Sequence, residues 1–223
     1  MRQKTLHMSV NGRMLVLALA CFAAQPAAAL DCGGLRASAI PFEIRLERKI
    51  QLADNAPAVA AGQLQVFRKG DSVVTYQSFS PDGFFRTRYA FSGFPVEFFV
   101  SKEGTRVDLT YSIAPSAALF ADEKPVSFHV SMKRQDGQTV GEQDHEVSFL
   151  GHHTIDLAGC EFEVVKSLRK VTGVINGKHS ESLTEFWYSP ELRTALHTRT
   201  VVANGPSQTY TASDISVDVK PME

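Results

Sequence analysis

Between Phe42 and Ile50 the chain alternates with period two. Phe42, Ile44, Leu46 and Ile50 fall on one face, and Glu43, Arg45, Glu47 and Lys49 on the other. An apolar residue at every second position marks a strand with one buried and one wet face. The same alternation returns at 106–113, with Val107, Leu109, Tyr111 and Ile113 together, and at 126–132, with Val126, Phe128, Val130 and Met132 together. Gln63–Phe67 and Val73–Phe79 flank the turn Lys69-Gly70-Asp71 and read as a hairpin. Phe84–Phe91, with Phe85, Tyr89 and Phe91 on one face, lies between Pro81-Asp82-Gly83 and Ser92-Gly93. Val96–Val100 follows, then a turn at Lys102-Glu103-Gly104. After Gln135-Asp136-Gly137 a polar strand is expected near 138–150.

Turn signals recur every eight to fifteen residues, with no long stretch of helical period. Residues 51–61 read as a loop or short helical turn, and 116–121 as about two turns of helix. Eleven or twelve strands with so little helix make an all-β antiparallel meander. Such a meander forms a strongly curved sheet or open barrel, with a two-layer β-sandwich as the alternative. Phe42, Ile44, Leu46, Val107, Leu109, Tyr111, Val126, Phe128 and Val130 are expected to line one common core.

The first 29 residues read as a signal peptide, and 30–223 as a single all-β domain. Arg2, Lys4 and Arg13 form a basic start, Met14 to Ala24 an apolar run, and Ala27-Ala28-Ala29 a small-residue cleavage site. That run is shorter than the ~20 residues a bilayer span needs. Ala18-Leu19-Ala20 before Cys21 has the wrong order for a lipoprotein signal, so Cys21 reads as an ordinary leader residue. Cleavage is expected after Ala29, giving a periplasmic or secreted chain. No later run is long and apolar enough to be a transmembrane segment of the mature chain. Removing the leader's three basic residues leaves 20 basic against 24 acidic side chains, a net of −4. That balance argues against nucleic acid as a partner.

Cys32 and Cys160 remain, and an oxidising compartment favours a disulfide between them. Asp144, His145, Glu146, His152 and His153 invite a metal reading, but their spacing matches no standard zinc motif. Neighbouring strand residues also face opposite ways. These histidines are therefore expected at the surface. There is no Gly-x-Ser-x-Gly elbow, His-Glu-x-x-His or Gly-rich phosphate loop. The glutamates beside Cys160 disfavour a reactive thiolate. No catalytic residue, metal ligand or cofactor site is assigned.

Fifteen Phe, five Tyr and one Trp are spread over nearly every strand. Most belong in a core. A curved sheet with little helix to cover it must otherwise be covered by a second sheet, barrel closure, a partner or an apolar ligand.

The run Phe186-Trp187-Tyr188-Ser189-Pro190-Glu191-Leu192 resembles a W-[FY]-[SA]-P-[DE]-L segment of uncharacterised bacterial exported proteins. Leu157-Ala158-Gly159-Cys160-Glu161-Phe162 stands where that family has an Ala-Gly-x-Phe-like turn and strand, and Thr209–Ile215 resembles its final strand. Cys160 departs from the family, where a small residue or Lys is commoner. The resemblance implies a curved antiparallel sheet or open barrel similar to periplasmic lipoprotein carriers, and carries over no catalytic residue. The functional expectation is a non-enzymatic periplasmic protein that binds a hydrophobic or lipid-like envelope ligand or a partner protein. A structural envelope module and an unrecognised hydrolase are the alternatives. Trp187 and Tyr188 are placed at the rim of the ligand site, since both join an apolar body to a polar tip.

Overall fold

A computed structural model describes residues 30–37, 40–51, 56–70, 72–80, 83–91, 94–114, 123–203, 205–217 and 219. The leader expected at 1–29 and the helix expected at 116–121 lie outside the described residues. A short helix, α1 (Cys32–Ala37), precedes the strands β1 (Phe42–Gln51), β2 (Ala58–Lys69), β3 (Ser72–Ser80) and β4 (Gly83–Phe91). Then come β5 (Phe94–Val100), β6 (Thr105–Tyr111), β7 (Val126–Arg134) and β8 (Thr139–Leu157). The closing stretch forms β9 (Cys160–Ile175), β10 (Lys178–Ser189), β11 (Thr194–Val202) and β12 (Ser207–Ser216). Each strand pairs antiparallel with the next, and β12 returns to β1, so the curved sheet closes completely into a barrel. A sandwich is excluded by that closure.

Local chemistry explains the tight corners. Asn176 and Gly177 both have positive φ, at 49° and 75°. That is the two-residue hairpin turn whose twist matches the strands it joins. Ala158 and Gly159 repeat it between β8 and β9, at 53° and 78°. Ser189-Pro190-Glu191 makes the corner after β10, and the loop returns through Arg193 at φ 56°.

The expected loop at 51–61 is corrected in its second half. Residues 58–61 are strand, because Ala58 to Ala61 continue the β1 ladder opposite Ile50 to Glu47. The Ala-rich composition gave no strand signal there, and pairing with β1 overrides it. The polar strand expected near 138–150 is longer, running from Thr139 to Leu157. Gly62 serves a close approach: the Phe79 ring lies where its Cβ would be, with a carbon 2.2 Å away.

α1 is held in place from outside itself. Asp31 caps it, with its Oδ1 accepting from Gly34 N at 3.0 Å. Two glycines among six residues are poor helix formers. The helix is instead tied down by the disulfide from Cys32 to Cys160, whose Cα atoms lie 5.6 Å apart, within the normal range. Leu35 is fully buried beside Phe42 and Phe162 in the larger core cluster. Such burial stabilises by about 2 kcal/mol.

One common core was expected, and the structure divides it in two. Phe42, Ile44 and Leu46 pack with Leu35, Val66, Phe162, Leu192 and Leu196. Phe128 and Val130 form a second cluster with Phe94 and Val147, against which Leu109, Tyr111 and Val126 pack. Val107 belongs to neither and lines a cavity. The apolar faces of these strands were assigned correctly, but a closed barrel separates their walls. An eight-stranded barrel is just wide enough for side chains to fill, and twelve strands enclose more.

Outward faces are charged where β1 presents Glu43, Arg45, Glu47 and Lys49. A lipid-facing barrel strand has the opposite polarity. Among the described residues, no helix is long and apolar enough to cross a membrane.

Candidate functional site

The interior holds a cavity of about 590 Å³. Its apolar wall comes from Phe98 and Val100 of β5, Val107 and Leu109 of β6, Met132 of β7, and Phe186 and Tyr188 of β10. The lining extends to Glu103, Arg134, Val140 and Asn176, at or beside the β5–β6, β7–β8 and β9–β10 turns. The cavity therefore reaches the barrel end opposite α1. Thr87, Tyr89 and Ser167 add a polar patch deeper inside. Volume and lining fit the usual small-molecule site, which is mostly apolar with a few placed polar groups.

Arg169 also lines this cavity. Its guanidinium packs against the faces of Phe186 at 4.9 Å and Phe94 at 5.8 Å. Among the described residues no carboxylate lies within ion-pair distance, and its Nε has no hydrogen-bond partner. Burial lowers its pKa, partly opposed by Tyr111 and Tyr89. Burial in turn raises the phenols of Tyr89 and Tyr111, so both stay protonated and neutral. Tyr111 donates its hydroxyl to the Pro95 carbonyl at 2.6 Å.

Arg68, whose Nε likewise has no hydrogen-bond partner, is held through its terminal nitrogens. Arg68 donates to the Leu35 carbonyl at 2.7 Å and the Glu191 carbonyl at 3.0 Å, while covering the Phe42 ring. These bonds also fasten α1 and the β10–β11 corner to the barrel. On the outer face, Glu97 is almost fully buried beneath Arg86, Arg106 and Arg88, at 2.7, 3.1 and 3.5 Å.

Of the two residues expected at a ligand rim, Tyr188 is buried and lines the cavity wall. Trp187 is not among the residues that line it. The ladder to β11 carries a register shift between Trp187 and Tyr188. Trp187 donates to Glu185 Oε1 at 2.7 Å. It packs against His197 and His153, with centroids at 4.8 and 5.2 Å, and Lys166 lies 4.4 Å over its ring.

The histidines were expected at the surface, and His145 is the exception. It is buried and stacks on Phe128 with centroids 5.0 Å apart, because its ladder partners Phe128 and Val171 both face inward. His152 is exposed between Glu123 and Glu163. His129 is likewise held between Asp144 and Glu142. Among the described residues no group of three or more metal-ligating side chains is placed to hold an ion.

His145 makes stability depend on pH. Burial, then the charge of Arg169, push it down to about 4, with Asp144 opposing and His129 adding a smaller effect. The unfolded imidazole titrates near 6.5. Between those values the unfolded chain binds a proton that the barrel refuses, so stability is full above about pH 6.5 and falls toward pH 4. His129 and His152 run the other way, their pKa values raised by hydrogen bonds to carboxylates. Their contribution is complete below about pH 6.5 and fades as pH rises through the raised values. Urea unfolding at pH 7 and pH 5 isolates the buried group by difference. His145→Gln should remove about 1–2 kcal/mol of acid sensitivity relative to the native chain. Equal slopes for the two proteins would contradict a neutral, buried His145.

No family model and no curated protein matches the chain. Among solved structures it is similar to the hypothetical lipoprotein YmcC from Escherichia coli, at 11% identity and a TM-score of 0.42, covering 80% of this chain and 88% of that one. A "putative exported protein with YmcC-like fold" from Bacteroides fragilis follows at 10% and 0.38, covering 78% and 95%. A "putative outer membrane lipoprotein-sorting protein domain" from Vibrio parahaemolyticus follows at 9% and 0.37, covering 86% and 91%. Below a TM-score of 0.5 these are distant likenesses, and the function of this chain rests on its own geometry.

Proposed function

We propose that the chain is a non-enzymatic envelope protein whose barrel holds an apolar, lipid-like ligand. The observation that carries this reading is the cavity of about 590 Å³ walled by Phe98, Val107, Leu109, Met132 and Phe186. A wide barrel left partly empty by its own side chains forgoes apolar contacts, and a ligand restores them. The leader at 1–29 and the disulfide support an exported, oxidising location.

An apolar fluorescent dye tests this. It should brighten on binding the purified barrel, with one site per chain, and a long-chain fatty acid should displace it. A dye that stays dark, or that brightens without competition, would leave the barrel as a structural module.

A further inference from the structure

The ligand's head group can be read from the cavity's charge. The whole chain has a formal net charge of −1, yet the cavity is lined by Arg134, Arg169 and Arg193 against the single acid Glu103. Arg193 is tethered at the barrel end, donating to the Gly70 carbonyl. Arg134 reaches Gln138 Oε1 at 3.4 Å near the mouth. Arg169 lies deeper, in register with Val147 of β8 and Thr184 of β10. It shares a strand face with Ser167, which also lines the cavity.

A guanidinium cannot shed its proton at any physiological pH. Arg169 is therefore a permanent cation half-buried in the cavity wall, with two aromatic faces and, among the described residues, no carboxylate within ion-pair distance. Aromatic faces compensate a buried cation only in part. Full pairing requires an acceptor with two oxygens in the geometry that a guanidinium fork prefers. No described carboxylate supplies it, and Glu103 stands at the mouth. The apolar wall formed by Val107, Leu109 and Met132 offers space for a hydrocarbon chain alongside.

We infer that the cavity takes an amphiphile with an anionic head, a carboxylate or a phosphate, that pairs with Arg169 while its chain lies against the apolar wall. This rests on the ligand-binding reading above and specifies its ligand. Binding neutralises Arg169, so an uncharged amphiphile of equal chain length is discriminated against. Arg169 acts as a selectivity device within an otherwise unspecific apolar cavity.

Displacement of the apolar dye by laurate, dodecyl phosphate, dodecanol and dodecyltrimethylammonium, all with one chain length, tests the inference. Laurate or dodecyl phosphate, or both, should bind at least ~10-fold tighter than dodecanol, and the ammonium more weakly still. Arg169→Met should abolish that preference, so that the acid and the alcohol bind alike. Arg169→Lys, which keeps the charge without the fork, should retain part of the preference and covers the case in which the methionine variant fails to fold. Inorganic phosphate at millimolar concentration should not displace the dye; displacement would mean a free-anion site and overturn the amphiphile. Equal affinities for the acid and the alcohol, or a preference that survives in Arg169→Met, would overturn the anionic head and leave apolar binding standing. If none of the amphiphiles bound, both readings would fall together.

Discussion

Replacing Cys32 and Cys160 together by serine is expected to lower the unfolding free energy by about 4–5 kcal/mol. The thermal midpoint should fall by roughly 10–15 °C for a chain of this size. The bridge closes a loop of sequence separation 128, which spans β1 to β8. Without it, that whole stretch regains its freedom in the unfolded state. The native state loses an anchor as well. α1 has two glycines and only six residues, and Leu35, Arg68, the Arg36 contacts to Glu191 and Glu161 and the disulfide keep it at the barrel end. Denaturant titration of the double variant against the oxidised native protein measures the difference. A loss below about 1 kcal/mol would mean that the unfolded chain is already held compact by other contacts.

Val107→Trp is expected to reduce affinity for a fatty acid about 100-fold while leaving the fold intact. Val107 belongs to neither core cluster and faces the cavity between Phe98 and Arg134, its ladder partners. An indole there enters open space, so overpacking strain should be small. It takes the room of some three or four methylenes of a bound chain. At about 0.8 kcal/mol per methylene, the lost burial is near 3 kcal/mol, or about two decades of affinity. The same substitution in a solid core would lower stability without a specific effect on binding. Dye displacement and a thermal melt on the same sample separate the two. Unchanged affinity would show that the ligand lies elsewhere.

The fold was legible because period-two alternation survives wherever one face is wet. Phe42, Ile44 and Leu46 against Glu43, Arg45 and Glu47 is such a case, and Asn176-Gly177 fixed a hairpin from two residues. Closure of the barrel was not legible. It depends on β12 finding β1, a pairing with no local signature. The cavity's key cation was hidden for a more specific reason. Counting by twos from Phe162 puts Val164, Lys166 and Leu168 inward and Arg169 in water. The structure breaks that count. Val164 and Val165 are both buried, and a register shift in β8 between Phe149 and Gly151 stands opposite Ser167 and Lys166. From Val165 onward the count restarts, and Ser167 and Arg169 line the cavity. The consecutive apolar pair Val164-Val165 and a glycine at 151 are the trace the sequence carries.

Native mass spectrometry of the exported protein shows whether the barrel's interior holds a lipid-like molecule. The spectrum should show a chain beginning at Leu30, with the disulfide intact, carrying one extra mass of amphiphile size that organic solvent removes. A bare mass for every molecule under gentle conditions, with no adduct after incubation with laurate or dodecyl phosphate, would contradict it.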